Sequence, residues 1–140
     1  MLEEVSYLGH ELVNSTFSLK KEPRGKGYYK YNVSIGDQFS FVEVHDDEGK
    51  HLHNEISISI NSFVHGFEKN SEEPVFIMDI EFIIRFELDK DQFMKQDYAI
   101  ENEWFFMNFS SIASKTIIDS ILSHTALKGT FIPAHRLPEA

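Results

Sequence analysis

The chain contains no cysteine, which excludes disulfides and thiolate chemistry. It is short of cations: 13 Lys and Arg stand against 23 Asp and Glu, for a formal net charge of −10. Without a basic cluster, such a chain is a poor nucleic-acid binder, because phosphate contacts dominate that affinity. It would not adhere to anionic lipid either. No run approaches the ~18 consecutive apolar residues that suggest a membrane span. The start, Met1-Leu-Glu-Glu-Val5, is acidic and lacks an apolar core, so no secretory signal is expected and the cytoplasm is the default location. There is no Gly-x-Ser-x-Gly elbow, no phosphate-cradling Gly-rich loop and no His-Glu-x-x-His. Repeats and low-complexity segments are also missing.

What is present is an apolar, aromatic chain. Its 140 residues, 41% hydrophobic with thirteen Phe, predict one domain over residues 1–140 with a sizeable core. Strand signals fill residues 5–88. Val5–Leu19 is extended in character, and Lys20–Gly27 is a charged turn. Tyr29–Ile35 alternates with period two, Gly36-Asp37 reads as a turn, and Phe39–Val44 as a further strand. Asp46–Gly49 is a polar turn. Ile56-Ser-Ile-Ser-Ile60 alternates strictly, with one face buried and one wet. Val75–Leu88 is the longest extended run, long enough that a bend or bulge is expected near Glu81–Ile83. Residues 89–101 form a polar connection. A helix is predicted over about residues 102–127, closed near Lys128-Gly129, with an extended tail over 128–140. Strands followed by one helix give an α+β class.

That helix is apolar around most of its circumference. At 100° per residue Phe105, Phe109, Ile112 and Thr116 share one stripe, and Phe106, Ala113, Ile117 and Ile121 a second. Asn108, Lys115 and Asp119 mark a narrow wet edge. Two apolar stripes call for two partners, the chain's own sheet and a second copy. Phe106, Phe109, Ala113, Ile117 and Ile121 are the expected oligomer interface, where Ile117→Asp would place a charge in a dry contact.

The catalytic constellations are weaker. His51 and His53, two apart on a strand, would share a face and suit zinc, with His45, Asp46 and Asp47 nearby. A polar hairpin tip with solvated imidazoles is the plainer reading, so no metal and no cofactor is assigned. His65, His124 and His135 are isolated from one another. Asp79 and Glu81 share a strand face and read as solvated acids. Thirteen Phe exceed the ordinary need of one small core, so some should line an exposed apolar groove.

Taken in order, the strand-rich half, Pro74-Val-Phe-Ile-Met-Asp-Ile-Glu81, the long helix, Lys128-Gly-Thr-Phe-Ile-Pro133 and Leu137-Pro138 resemble the SecB family of export chaperones. The similarity is clearest over Val75–Pro138. It implies an antiparallel sheet of about four strands backed by the helix, and dimers that pair into tetramers across the helices. It also implies an ATP-independent holdase that captures unfolded or precursor polypeptide in hydrophobic grooves. The groove is expected at Phe17, Phe39, Phe41, Phe63, Phe67 and Phe131, and a partner-docking position at Ile77 and Asp79. The chain departs from the family in three places. Phe106–Ala113 lacks the family's Pro and Arg, no second C-terminal helix is expected before Ala140, and Asn14 and Ser18 stand where the family's first-strand acids dock the motor SecA. The competing class is a small domain holding an apolar ligand in a Phe-lined pocket. An enzyme resting on His45, His51, His53, Asp46 and Asp47 comes third.

Overall fold

The alternating segments become long strands because one face of each can be buried under the helix while the other stays wet. The computed structural model describes residues 5–22, 27–89 and 102–125, apart from the side chains of residues 37 and 38. Strands β1 (Ser6–Leu19), β2 (Gly27–His45), β3 (His51–Glu68) and β4 (Pro74–Leu88) precede helix α1 (Glu103–Leu122). Among the described residues they form one antiparallel sheet of four strands in the order β1-β4-β3-β2. The α+β class and the single sheet under a C-terminal helix are as expected. Phe131, the Gly129 cap, the extended tail and most of the 89–101 connection lie outside the described residues.

Register sorts the side chains by face. Ile56, Ile58, Ile60, Ser62 and Val64 of β3 stand opposite Phe86, Ile84, Phe82, Ile80 and Met78 of β4. All ten are buried, and α1 lies over this face. Removing these aliphatic and aromatic groups from water is the main stabilising term. The Ser of Ile56–Ile60 take the other face as expected, although Ser59 is itself buried.

Two local expectations are corrected. Gly36-Asp37 does not reverse the chain. It lies inside β2, at a register irregularity between Ile35 and Phe39. A Cβ on Gly36 would stand 3.1 Å from the Ser59 carbonyl oxygen, so any side chain here would need β3 to give by a few tenths of an ångström. The bulge expected near Glu81–Ile83 is not in β4, whose pairing with β3 is regular there. The irregularities sit on its neighbour β1, between Tyr7 and Gly9 and between Leu12 and Asn14. A central strand is held by ladders on both sides, so the edge strand absorbs the distortion.

The helix is the larger correction. Phe106, Ala113 and Ile117 are buried within the chain at 0%, 2% and 7% exposure, and Ile121 packs against the same core. The stripe expected to meet a second copy therefore meets the chain's own sheet. Of the stripe Phe105, Phe109, Ile112 and Thr116, only Ile112, 55% exposed, and Thr116 turn outward, whereas Phe105 and Phe109 are half-buried against the core. Small polar residues decide the matter. Ser110, Ser111 and Ser114 are buried, and their short side chains let the helix backbone approach the sheet. Ser110 Oγ donates to the Phe106 carbonyl at 2.7 Å. Ser114 Oγ is 2.7 Å from Ser62 Oγ and accepts from the Tyr31 hydroxyl at 3.3 Å. The buried hydroxyls are thus paired, as burial demands. The other end of the helix is clamped by rings: Phe86 meets Phe106 edge-on at 5.1 Å and Phe109 at 5.4 Å. The helix ends at Leu122, earlier than residue 127, with Ser123 donating its amide to the Asp119 carbonyl.

Two outcomes follow from this packing. Phe86→Ala should destabilise the fold by about 3–5 kcal/mol, read from the urea midpoint, whereas Val42→Ala on the exposed side of β2 should stay within about 0.5 kcal/mol. Burial raises the Tyr31 pKa above its ordinary 10.0, and that of Tyr7 likewise. A raised phenol pKa favours the neutral form in the fold, so its contribution is intact below pH 10 and is lost as pH rises through the folded value. Tyr31→Phe should cost about 1 kcal/mol at neutral pH and flatten the alkaline fall in stability. An equally steep fall in the variant would remove Tyr31 as its cause.

Candidate functional site

The most exposed apolar surface among the described residues follows from the strand order. β1 sits at an edge, and its fourteen residues include none that is buried. Tyr7, Leu8, Leu12, Val13 and Leu19 are large hydrophobics exposed by 37–53%. The bulged positions Leu8 and Val13 lie outside the regular alternation. An edge strand also presents a row of backbone groups without a neighbouring strand, and natural proteins usually guard such edges with charge or proline. β1 carries neither in strength. Its one acid, Glu11, is neutralised by Arg85 of β4 at 2.7 Å.

The outward stripe of α1 continues this surface. The Tyr7 ring lies 4.8 Å from Phe109, which lies 5.3 Å from Phe105, and Trp104 meets Phe105 at 5.9 Å. Trp104 is 63% exposed. Edge backbone and flanking rings together can accept an extended polypeptide by strand addition, with apolar side chains seated on the rings.

The six Phe expected to line one groove do not share a face. Phe17, Phe39 and Phe41 stand on the helix side, half-buried against the core. Phe63 and Phe67 stand on the opposite face, where Phe63 touches His65 at 4.8 Å and Phe67 stacks on Tyr28 at 5.0 Å. Strand parity separates the two groups. β2's odd-numbered aromatics point to the helix, whereas β3's odd-numbered ones point away.

The open face carries Ile77 and Asp79 together, as expected from their spacing. Thr16 and Phe63 flank Asp79 on either side in register, and Ser18 and His65 flank Ile77. Asp79 Oδ1 lies 3.3 Å from His65 Nε2. A shallow concavity of about 400 Å³ opens here, lined chiefly by Asn14, Thr16, Asn32, Ser34, Asn61 and the acids Asp79 and Glu81. This lining is mixed, with Phe63 its one aromatic residue beside Ile80, and is unlike the Phe-lined apolar pocket of the competing class.

The histidines are also rearranged. His45 pairs with His51, whereas Val44 pairs with His53, so Leu52 is an extra residue in β3. That bulge turns His51 and His53 to opposite faces. His53 lies between Glu55 at 3.3 Å and Glu87 at 3.5 Å. His51 instead joins His45, ring to ring at 5.0 Å. Asp46 is consumed by the turn, where its Oδ1 accepts from the amides of Glu48 and Lys50.

No family profile matches the chain, and no curated protein matches it in sequence. Among solved structures, the fold is similar to the Mycobacterium tuberculosis Rv1957 SecB-like chaperone, solved in complex with a ChAD peptide from the Rv1956 HigA1 antitoxin. The TM-score is 0.62 at 11% identity, over 98% of this chain and 94% of that one. The fold is therefore SecB-like.

The site yields one local expectation. Trp104 is the only tryptophan of the chain, so its emission reports directly on the outward patch. Emission should shift to shorter wavelength whenever a second copy or another chain covers that patch, and should stay red in an isolated protomer.

Proposed function

We propose that the chain is an ATP-independent holdase that binds non-native polypeptide as an oligomer. The observation that carries this is the continuous exposed apolar surface of β1 and the outward stripe of α1. A soluble acidic monomer rarely keeps so much apolar surface open unless a partner uses it. The fold's likeness to a chaperone that holds an antitoxin peptide supports the same reading.

The surface divides into two uses. β1 meets β1 of a second copy antiparallel, an isologous contact. The neutralised Glu11 keeps like charges from opposing that pairing. The exposed Trp104 and Ile112, with the half-buried rings of Phe105 and Phe109 between them, extend the contact to further copies. Non-native clients lie along the helix side of β2, where Tyr29, Ile35, Phe39 and Phe41 are half-buried beside Met107 and Ile121. Hydrophobic burial of extended segments gives affinity without sequence preference, and the charge of −10 keeps the assembly soluble and favours basic clients. Unfolded and precursor chains both fit, as does a dedicated partner. With Asn14 and Ser18 on the first strand, docking of a SecA-type motor is not part of this proposal.

Native mass by light scattering, with and without unfolded client and without nucleotide, tests the reading. A dimer or tetramer that keeps unfolded client soluble is expected. Ile112→Asp and Val13→Lys should lower the mass while leaving far-ultraviolet dichroism unchanged. Lys115→Ala should change little. Ile117→Asp does not discriminate, because its charge would enter the protomer's own core. A monomer indifferent to unfolded protein would sink the holdase.

A further inference from the structure

The β2–β3 hairpin end brings together three side chains that the proposed holdase does not use. Glu43, His45 and His51 each offer one ligand atom, and these atoms lie within 4.8 Å of one another. We propose that they form a binding site for a divalent transition-metal ion of the zinc class.

The donor set suits that class. Two imidazoles and a carboxylate are ordinary ligands for a borderline ion such as Zn²⁺, whereas calcium and magnesium take all-oxygen sets. Two bonds of ~2.1 Å at a tetrahedral angle place ligand atoms about 3.4 Å apart. Half-exposed side chains close the remaining gap by small rotations, since His45 and Glu43 are 41% and 55% exposed.

The backbone holds the two imidazoles in place. His45 and His51 are register partners, and the turn between them is fixed. The Asp46 amide donates to the Lys50 carbonyl at 2.9 Å, and the Gly49 amide to the Asp46 carbonyl at 3.0 Å. Gly49 has a φ of +85°, which favours glycine.

A second observation points to a ligand role for His51. Its Nε2 lies 2.6 Å from Asn54 Oδ1, and Asn54 is only 2% exposed. The Asn54 amide nitrogen donates to the Asp89 carbonyl at 3.4 Å, which fixes the carboxamide with its oxygen toward His51. A carboxamide oxygen only accepts, so Nε2 carries the proton and Nδ1 keeps a free lone pair. A ring tied through one nitrogen to a buried carboxamide oxygen, with the other left as the donor, is the arrangement in which metal-bound histidines are held, so Nδ1 is the His51 ligand atom of this proposal. The bound ion would staple the ends of β2 and β3 and leave a coordination position open at the surface.

Titration calorimetry of the untagged full chain with zinc chloride tests the site, with dichroism to confirm that each variant is folded. One ion per chain is expected, with a rise in thermal midpoint on zinc that chelator reverses. His45→Ala and His51→Ala should each weaken binding by about tenfold or more, and Glu43→Gln should weaken it less. His53→Ala, on the opposite face, should leave it unchanged. Absence of zinc binding would overturn the proposal, as would binding that survives the double substitution of His45 and His51 or that depends equally on His53. Client capture in chelator is a separate readout, so loss of the metal site leaves the holdase standing, and the reverse holds.

Discussion

One helix has to cover a sheet that is larger than it. The 20 residues of α1 make a rod about 30 Å long and roughly 10 Å across. The 18 residues of β3 run about 60 Å, and four strands at ~4.8 Å span about 19 Å. The rod can bury the middle of β3 and β4 and little more. Burial is therefore deepest at the helix-facing Ile56, Ile58, Ile60 and Val64 of β3 and Met78, Phe82, Ile84 and Phe86 of β4, whereas Phe17, Phe39 and Phe41 at the margins stay half-covered. The incomplete cover explains why the chain has apolar surface to spare.

The helix meets this constraint by approaching closely. Ser110, Ala113 and Ser114 bring its backbone near the sheet, and the Ser62, Ser114 and Tyr31 hydroxyls satisfy one another where water is excluded. At the other end the rings around Phe86 fill a wider gap. The helix thus meets β4 at Phe86 and reaches β2 at Tyr31. Phe109, half-buried, lies beside Tyr7, and Ile112 faces outward. The patch proposed for assembly is thus a by-product of how the core is closed, and the helix-side margin of β2 stays half-covered.

Edge and hairpin show the same economy of local means. β1 takes up both irregularities of its pairing with β4, since among the described residues no strand pairs with its outer side to resist them. At the far end of the sheet, one extra residue, Leu52, reverses the side chains beyond it and brings His51 to His45. Bulges at the sheet periphery therefore arrange chemistry that regular pairing would scatter.

Much of this was legible in the amino-acid order. Alternation at Ile56–Ile60 and Val75–Leu88 determined two strands and their buried faces, because a period of two leaves no other way to hide the apolar set. The two apolar stripes of the helix, the α+β order and the pairing of Ile77 with Asp79 on one face were determined in the same way. Tertiary structure decided what periodicity cannot express. Both helix stripes are apolar, and the fit of Ser114 against Ser62 and Tyr31 selected the one that turns inward. Strand parity placed Phe39 and Phe63 on opposite faces, since the register between β2 and β3 is a property of the pair. The bulge at Leu52 separated His51 from His53, because an unpaired residue is visible only once both strands are laid side by side.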